Sequence, residues 1–179
     1  GHVRVYQFSN DSWTQLGSDI EGETNDDQSG RSVSLSNDGT IVAIGAPYNN
    51  GDKLQGAGTI DNTGHVRVYQ FSNDSWTQLG SDIDYAGTGS DSDIDNELDE
   101  NDYFGISVSL SSDGSKVAIG AYNSTGENGS GCGIVRVYKR DTNNPLGWSK
   151  IGGDIEGEDE FDSSGYSVSL SNDGAIVAI

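Results

Sequence analysis

The first twenty residues, GHVRVYQFSNDSWTQLGSDI, return letter for letter at residues 64–83, and a diverged third copy, GIVRVYKRDTNNPLGWSKIGGDI, starts at Gly133. The chain is therefore three units, 1–63, 64–132 and 133–179, in one repeat array. A second block recurs in each unit: GRSVSLSNDGTIVAI from Gly30, GISVSLSSDGSKVAI from Gly105 and GYSVSLSNDGAIVAI from Gly165. Length changes fall between the blocks, at residues 24–29, 85–103 and 143–145, as expected when a fixed set of strands is joined by variable connections.

The blocks read as strands. Ser32-Val33-Ser34-Leu35-Ser36 alternates with a period of two, giving one dry face, whereas Ile41-Val42-Ala43-Ile44 is apolar throughout, as in an inner strand covered on both sides. Asn37-Asp38-Gly39 supplies the left-handed residues of a tight hairpin between them. Val3 to Phe8 and Trp13 to Ile20 make a second pair around the turn Ser9-Asn10-Asp11-Ser12. No window carries a helical apolar stripe. The expected fold is all-β: antiparallel four-stranded blades of a β-propeller, as a leading half-unit, two whole units and a trailing half-unit. Sixty-odd residues per four-stranded unit suit a blade better than a solenoid rung. Closed propellers use about 4–8 blades, so three blade-equivalents make a partial, open ring. With no methionine and a first residue already inside a strand, the chain reads as a piece of a longer protein.

Twenty-nine Asp and Glu against nine Lys and Arg give a net charge of −20, which repels phosphate backbones and anionic lipid surfaces. No nucleic-acid partner is expected. The longest apolar run, Ile41 to Ala46, is far below the roughly 20 residues that span a bilayer, so no direct membrane insertion is expected. Cys132, the single cysteine, reads as an incidental surface thiol in a Gly-Ser-Gly-Cys-Gly loop.

The repeats resemble the FG-GAP repeats of integrin alpha-subunit-like propellers. Phe104-Gly105 supplies the first half of that motif and Gly45-Ala46-Pro47 the second; Ser29-Gly30, Ser164-Gly165 and Gly120-Ala121-Tyr122 depart from it. The resemblance implies calcium in the hairpin between the two motifs, held by carboxylates at positions one, three, five and nine. In this sequence those positions are Ser34, Ser36, Asp38 and Val42, then Ser109, Ser111, Asp113 and Val117, then Ser169, Ser171, Asp173 and Val177. One carboxylate in four accounts better for a plain hairpin turn than for an ion needing six to eight oxygens.

The acids gather elsewhere, in the connection from the Trp-bearing strand to the next Ser-Val-Ser-Leu strand. Asp19, Glu21, Glu23 and Asp27 stand at positions one, three, five and nine of DIEGETNDD, and Asp154, Glu156, Glu158 and Asp162 repeat the spacing in DIEGEDEFD. The unit-two insertion offers Asp91, Asp93, Asp95 and Asp99, with Asp102 at position twelve. These are the candidate calcium ligands; the alternative is simple solvated acidic loops.

His2 and His65 are copies of one position, and no second His or Cys stands at ligand spacing, so no zinc motif is legible. No G-x-S-x-G elbow occurs and no carboxylate pair is singled out for glycoside hydrolysis, so no active site is expected. Trp13, Trp76 and Trp148 recur once per unit, as packing between blades demands; a stacking platform for sugars is the weaker reading. Sequons at Asn10, Asn73, Asn123 and Asn128 permit glycosylation. The expected function is a non-catalytic, extracellular or cell-surface binding or adhesion module. It takes a protein or glycan on a propeller rim and is completed by the rest of its parent propeller. The rival readings are an accessory propeller of a larger secreted or surface enzyme of hydrolase or lipase type, and a structural spacer.

Overall fold

The computed structural model describes residues 1–50, 62–85 and 101–179. The leading unit contributes β1 (His2–Val3), β2 (Tyr6–Ser9), β3 (Ser12–Gln15) and β4 (Ile20–Glu21), with β1 on β4 and β2 on β3. The first full blade is β5 (Ser32–Leu35), β6 (Ile41–Ala46), β7 (His65–Ser72) and β8 (Ser75–Gln78), with β9 (Ile83–Asp84) also on β7. The second repeats it with β10 (Ser107–Leu110), β11 (Lys116–Ala121), β12 (Ile134–Arg140), β13 (Trp148–Lys150) and β14 (Ile155–Glu156). A hairpin of β15 (Ser169–Leu170) and β16 (Val177–Ala178) follows. Every pairing is antiparallel, and the fold is a partial propeller of two complete blades between two half-blades.

The outermost strand of each blade is one chain pass broken at a fixed point. Gly17, Gly80 and Gly152 take φ of 69°, 77° and 76°, a left-handed turn that side-chain-bearing residues resist. Just before each break, the N–H of Leu16, Leu79 or Ile151 still donates to Val5, Val68 or Val137. The Trp-bearing strand therefore appears as two short segments, a kink the period-two pattern does not carry.

The core lies between blades. Residues of β6 are buried throughout and alternate in direction: Val42 and Ile44 pack with Ile20, Val3, Tyr69 and Trp76 of the leading junction. Ile41 and Ala43 join Val66, Val68, Val108, Leu110, Ile119, Tyr138 and Trp148 at the junction between the two full blades. The serines of Ser-Val-Ser-Leu face the next blade rather than water. Ser32 Oγ donates to the Gly105 carbonyl and Ser107 Oγ to that of Gly165, both at 2.7 Å. The N–H groups of Leu110 and Leu170 in turn donate to Ser34 Oγ and Ser109 Oγ, both at 2.9 Å. Valine and leucine of the same strand take the opposite face, toward the preceding blade.

The tryptophans belong to these junctions. Trp76 Nε1 donates to the Leu16 carbonyl at 2.8 Å, and Trp148 Nε1 to that of Leu79 at 2.7 Å. Trp148 is 3% exposed and Trp13, at the leading face, 68%. Replacing Trp148 by Phe is expected to lower the unfolding free energy by about 1–2 kcal/mol, through a lost buried hydrogen bond and a small cavity. Trp13→Phe should change it by less than about 0.5 kcal/mol; urea denaturation of both variants checks the contrast.

The structure corrects the reading of Cys132. Its thiol is fully buried, with Sγ 3.8 Å from the Ser124 carbonyl oxygen, and its own carbonyl accepts from the N–H of Ser164. Close packing of residues 122–131 over the entry to β12, against the connection at 157–164, takes it from the surface.

Candidate functional site

Antiparallel order sorts the loops. The connections β6–β7 and β11–β12, together with those entering β5, β10 and β15, all leave the same end of the blades; the tight hairpins occupy the other end. On the hairpin rim, Asn10-Asp11 and Asn73-Asp74 each have both residues at positive φ, the type I′ pattern. In the other hairpins the aspartate serves the turn. Asp113 Oδ1 accepts from Ser111 Oγ at 2.7 Å and from the Ser115 N–H at 2.9 Å, and Asp38 and Asp173 accept the matching bonds. These bonds, the Ser111 hydroxyl first, pull the Asp113 carboxyl down to about 2.

The connection rim holds the acidic loops and a row of tyrosines. Tyr48 and Tyr103 have ring centroids 5.1 Å apart, Tyr103 and Tyr122 stack at 5.3 Å and 9°, and Tyr122 meets Tyr166 edge-on at 5.4 Å. The row crosses both junctions that follow the full-blade inner strands, and Tyr166, at its end, is exposed.

The candidate acids do different jobs. Asp19 accepts from Gln15 Nε2 at 2.7 Å and stands 3.8 Å from His2 Nε2. Glu21, in β4, offers its backbone carbonyl to Arg67 at 3.0 Å. Asp27 closes its own loop: it accepts from the N–H and hydroxyl of Thr24, and from Asn49 Nδ2 at 3.1 Å. Burial works to raise its carboxyl, and these hydrogen bonds outweigh it, so the group lies below the ordinary range. Asp162 closes the third loop in the same way, accepting from the N–H groups of Glu158 and Asp159 at 3.0 and 2.9 Å. Glu156 accepts from the Glu127 N–H at 2.7 Å. With Glu158, Asp162, Tyr166 and Ile179 it lines an open cleft of about 510 Å³. Asp102 is buried, and its charge adds to the burial that pushes the Tyr85 hydroxyl up to about 12. Asp91, Asp93, Asp95 and Asp99 lie outside the described residues.

Asp154 is taken by an ion pair. Arg136 Nε and Nη2 reach its two oxygens at 2.9–3.1 Å, and Lys150 Nζ lies 3.1 Å away. The Arg136 side chain also donates to the Tyr85 carbonyl and lies 4.4 Å from the Tyr85 ring centroid, so it binds one blade to the next. Burial opposes the Asp154 charge, but the Arg136 bonds and charge, then Lys150, hold the carboxyl below its ordinary range.

The grouping that loop spacing does not reveal is Glu23, His65 and Asp82, whose ligand atoms lie within 4.8 Å of one another. Glu23 comes from the first acidic loop, His65 opens β7 and Asp82 precedes β9. Of the candidate acids in the described residues, only Glu23 belongs to it.

The conserved geometry across each junction is backbone against backbone. A Cβ on Gly45 would lie 2.0 Å from the Gly105 carbonyl oxygen, and one on Gly120 would lie 1.9 Å from that of Gly165. The glycine of Gly-Ala-Pro thus abuts the glycine of Phe-Gly in the next blade. Residues 94–138, which include all of β10 and β11 and most of β12, match the family model of the FG-GAP repeat. That segment is similar to an FG-GAP repeat. The glycine contact of that FG-GAP unit recurs at the next junction, where Gly120 meets Gly165. The match agrees with the propeller-type arrangement of the blades. No curated protein matches the chain. Among the described residues no helix is long and apolar enough to cross a membrane.

Proposed function

We propose that the chain is part of a non-catalytic binding or adhesion module, secreted or displayed at a cell surface, that holds a protein or glycan ligand on its connection rim. The observation that carries this reading is the difference between the two rims. One bears short turns whose polar groups are spent on the turn itself, and the other bears the long acidic connections and the row of four tyrosines. Loops of unequal length on a repeated scaffold are where a propeller places recognition.

The rest of the parent propeller is the second partner in this reading. Val33 at the leading face is 53% exposed while its counterpart Val108 is 8% exposed, and Trp13 differs from Trp148 in the same sense. Propeller structure continuing beyond that face would bury Val33 and Trp13 as the first full blade buries Val108 and Trp148. Calcium in the acidic loops belongs to the reading as well, with the unit-two insertion ending at the buried Asp102 as its first location.

The test is binding of the full-length protein to an array of cell-surface proteins and polysaccharides, with calcium present and with it chelated. Binding is expected to fall when Tyr166→Ala and Glu158→Gln are introduced together and to survive Asn73→Ala on the hairpin rim. A protein that binds nothing on the array, or whose binding is indifferent to the rim changes, overturns the reading. Binding that is unchanged by chelation removes calcium from it.

A further inference from the structure

The junction between the leading unit and the first full blade gathers charge that the following junction disposes of differently. At the following junction Arg136 and Lys150 neutralise Asp154, and Ile134 stands at the position corresponding to His65. At the first junction Gln78 replaces the lysine and donates to Asp82 Oδ1 at 2.6 Å. The corresponding arginine, Arg67, turns to the Glu21 carbonyl and to Glu23 Oε1, 3.8 Å away. Asp82 Oδ2 and Glu23 Oε2 are left facing His65 Nδ1 at 3.5 and 3.8 Å.

We propose that His65 Nδ1, Glu23 Oε2 and Asp82 Oδ2 form a binding site for one divalent transition-metal ion of the zinc class. The two separations are long for a strong hydrogen bond and close to the roughly 3.3 Å between ligand atoms around a tetrahedral zinc with bonds of about 2.0–2.1 Å. An imidazole with two carboxylates suits zinc better than calcium, which takes oxygen ligands. The charge balance agrees. Glu23, Asp27 and Asp82 bring three negative charges against Arg67, and a divalent ion cancels the remainder. Each ligand is held in place. His65 is 2% exposed, Asp82 Oδ1 is fixed by Gln78, and Asn49 bonds Asp27 while lying 3.4 Å from Glu23 Oε2. The imidazole binds through Nδ1 with its proton on Nε2, so the metal competes with protonation of the ring.

Zinc titration of the 179-residue chain tests this, followed by calorimetry and by melting temperature. His2→Ala removes the exposed histidine, and excess calcium occupies weak carboxylate sites. One zinc per chain is expected, with a rise in melting temperature that grows with zinc concentration. Glu23→Gln, which touches a half-exposed side chain and leaves the fold intact, should weaken binding at least about tenfold, and His65→Gln should abolish it. Zinc that does not bind, or that binds equally well to Glu23→Gln, overturns the proposal. If His65→Gln does not fold, Glu23→Gln decides.

Discussion

Gly45→Ala is expected to lower the unfolding free energy by about 3 kcal/mol, the upper end of overpacking costs, because nothing around it can yield. The added methyl would lie 2.0 Å from the Gly105 carbonyl oxygen and 2.4 Å from Ser32 Oγ, and both groups are fixed by bonds across the same junction. Relief requires the two blades to separate, which opens the core cluster that holds Ile41, Val66, Val108 and Trp148. For a chain of this size the loss corresponds to a melting temperature lower by about 6–12 °C. Gly153→Ala is the control: nothing lies within 4 Å of its added methyl, and its stability should stay within about 0.5 kcal/mol of the parent. Equal melting temperatures for the two variants would contradict the blade contact described for the FG-GAP glycines.

Arg136→Met should cost about 3–5 kcal/mol, since it strands a largely buried Asp154 with Lys150 alone. Arg136→Met combined with Asp154→Leu should recover a good part of that loss, because an apolar pair of similar volume leaves no uncompensated charge. The pH dependence follows from the depressed carboxyl. Its stabilising effect is complete above the ordinary Asp value of about 3.9 and is lost as pH falls through the lower folded value. The gap between the parent and Asp154→Asn should therefore be constant near neutrality and close below about pH 4. Chemical denaturation across that range measures both the double variant and the closing gap.

Much of the scaffold was legible because its rules are local. A period of two, a wholly apolar Ile41–Ala46 segment and Asn-Asp-Gly turns place the strands, the inner position and the hairpins without reference to distant residues. The kink at Gly80 was not legible, because a left-handed glycine leaves no mark on the apolar pattern around it. The candidate site was legible only in part. Spacing along a loop singles out Glu23, but its neighbours His65 and Asp82 come from the next unit, brought there by blade stacking. Asp27 and Asp162 match the ligand spacing equally well and serve as loop closures. Arg67 and Arg136 did carry a signal: an arginine stands at one place in the opening strand of every unit, between apolar neighbours. A charge kept on an otherwise dry strand points to a fixed partner.

The units of sequence and the blades of structure are half a period out of step: β5 and β6 come from one unit, and β7, β8 and β9 from the next. Copying one unit therefore never adds a detached domain. It opens an existing sheet between its second and third strands, fills each half with a new partner of the same pattern, and leaves every junction with the neighbours it had before. A gene that lengthens by unequal exchange between such copies stays within one architecture, and the faithful copy at residues 64–83 is the trace such an event leaves.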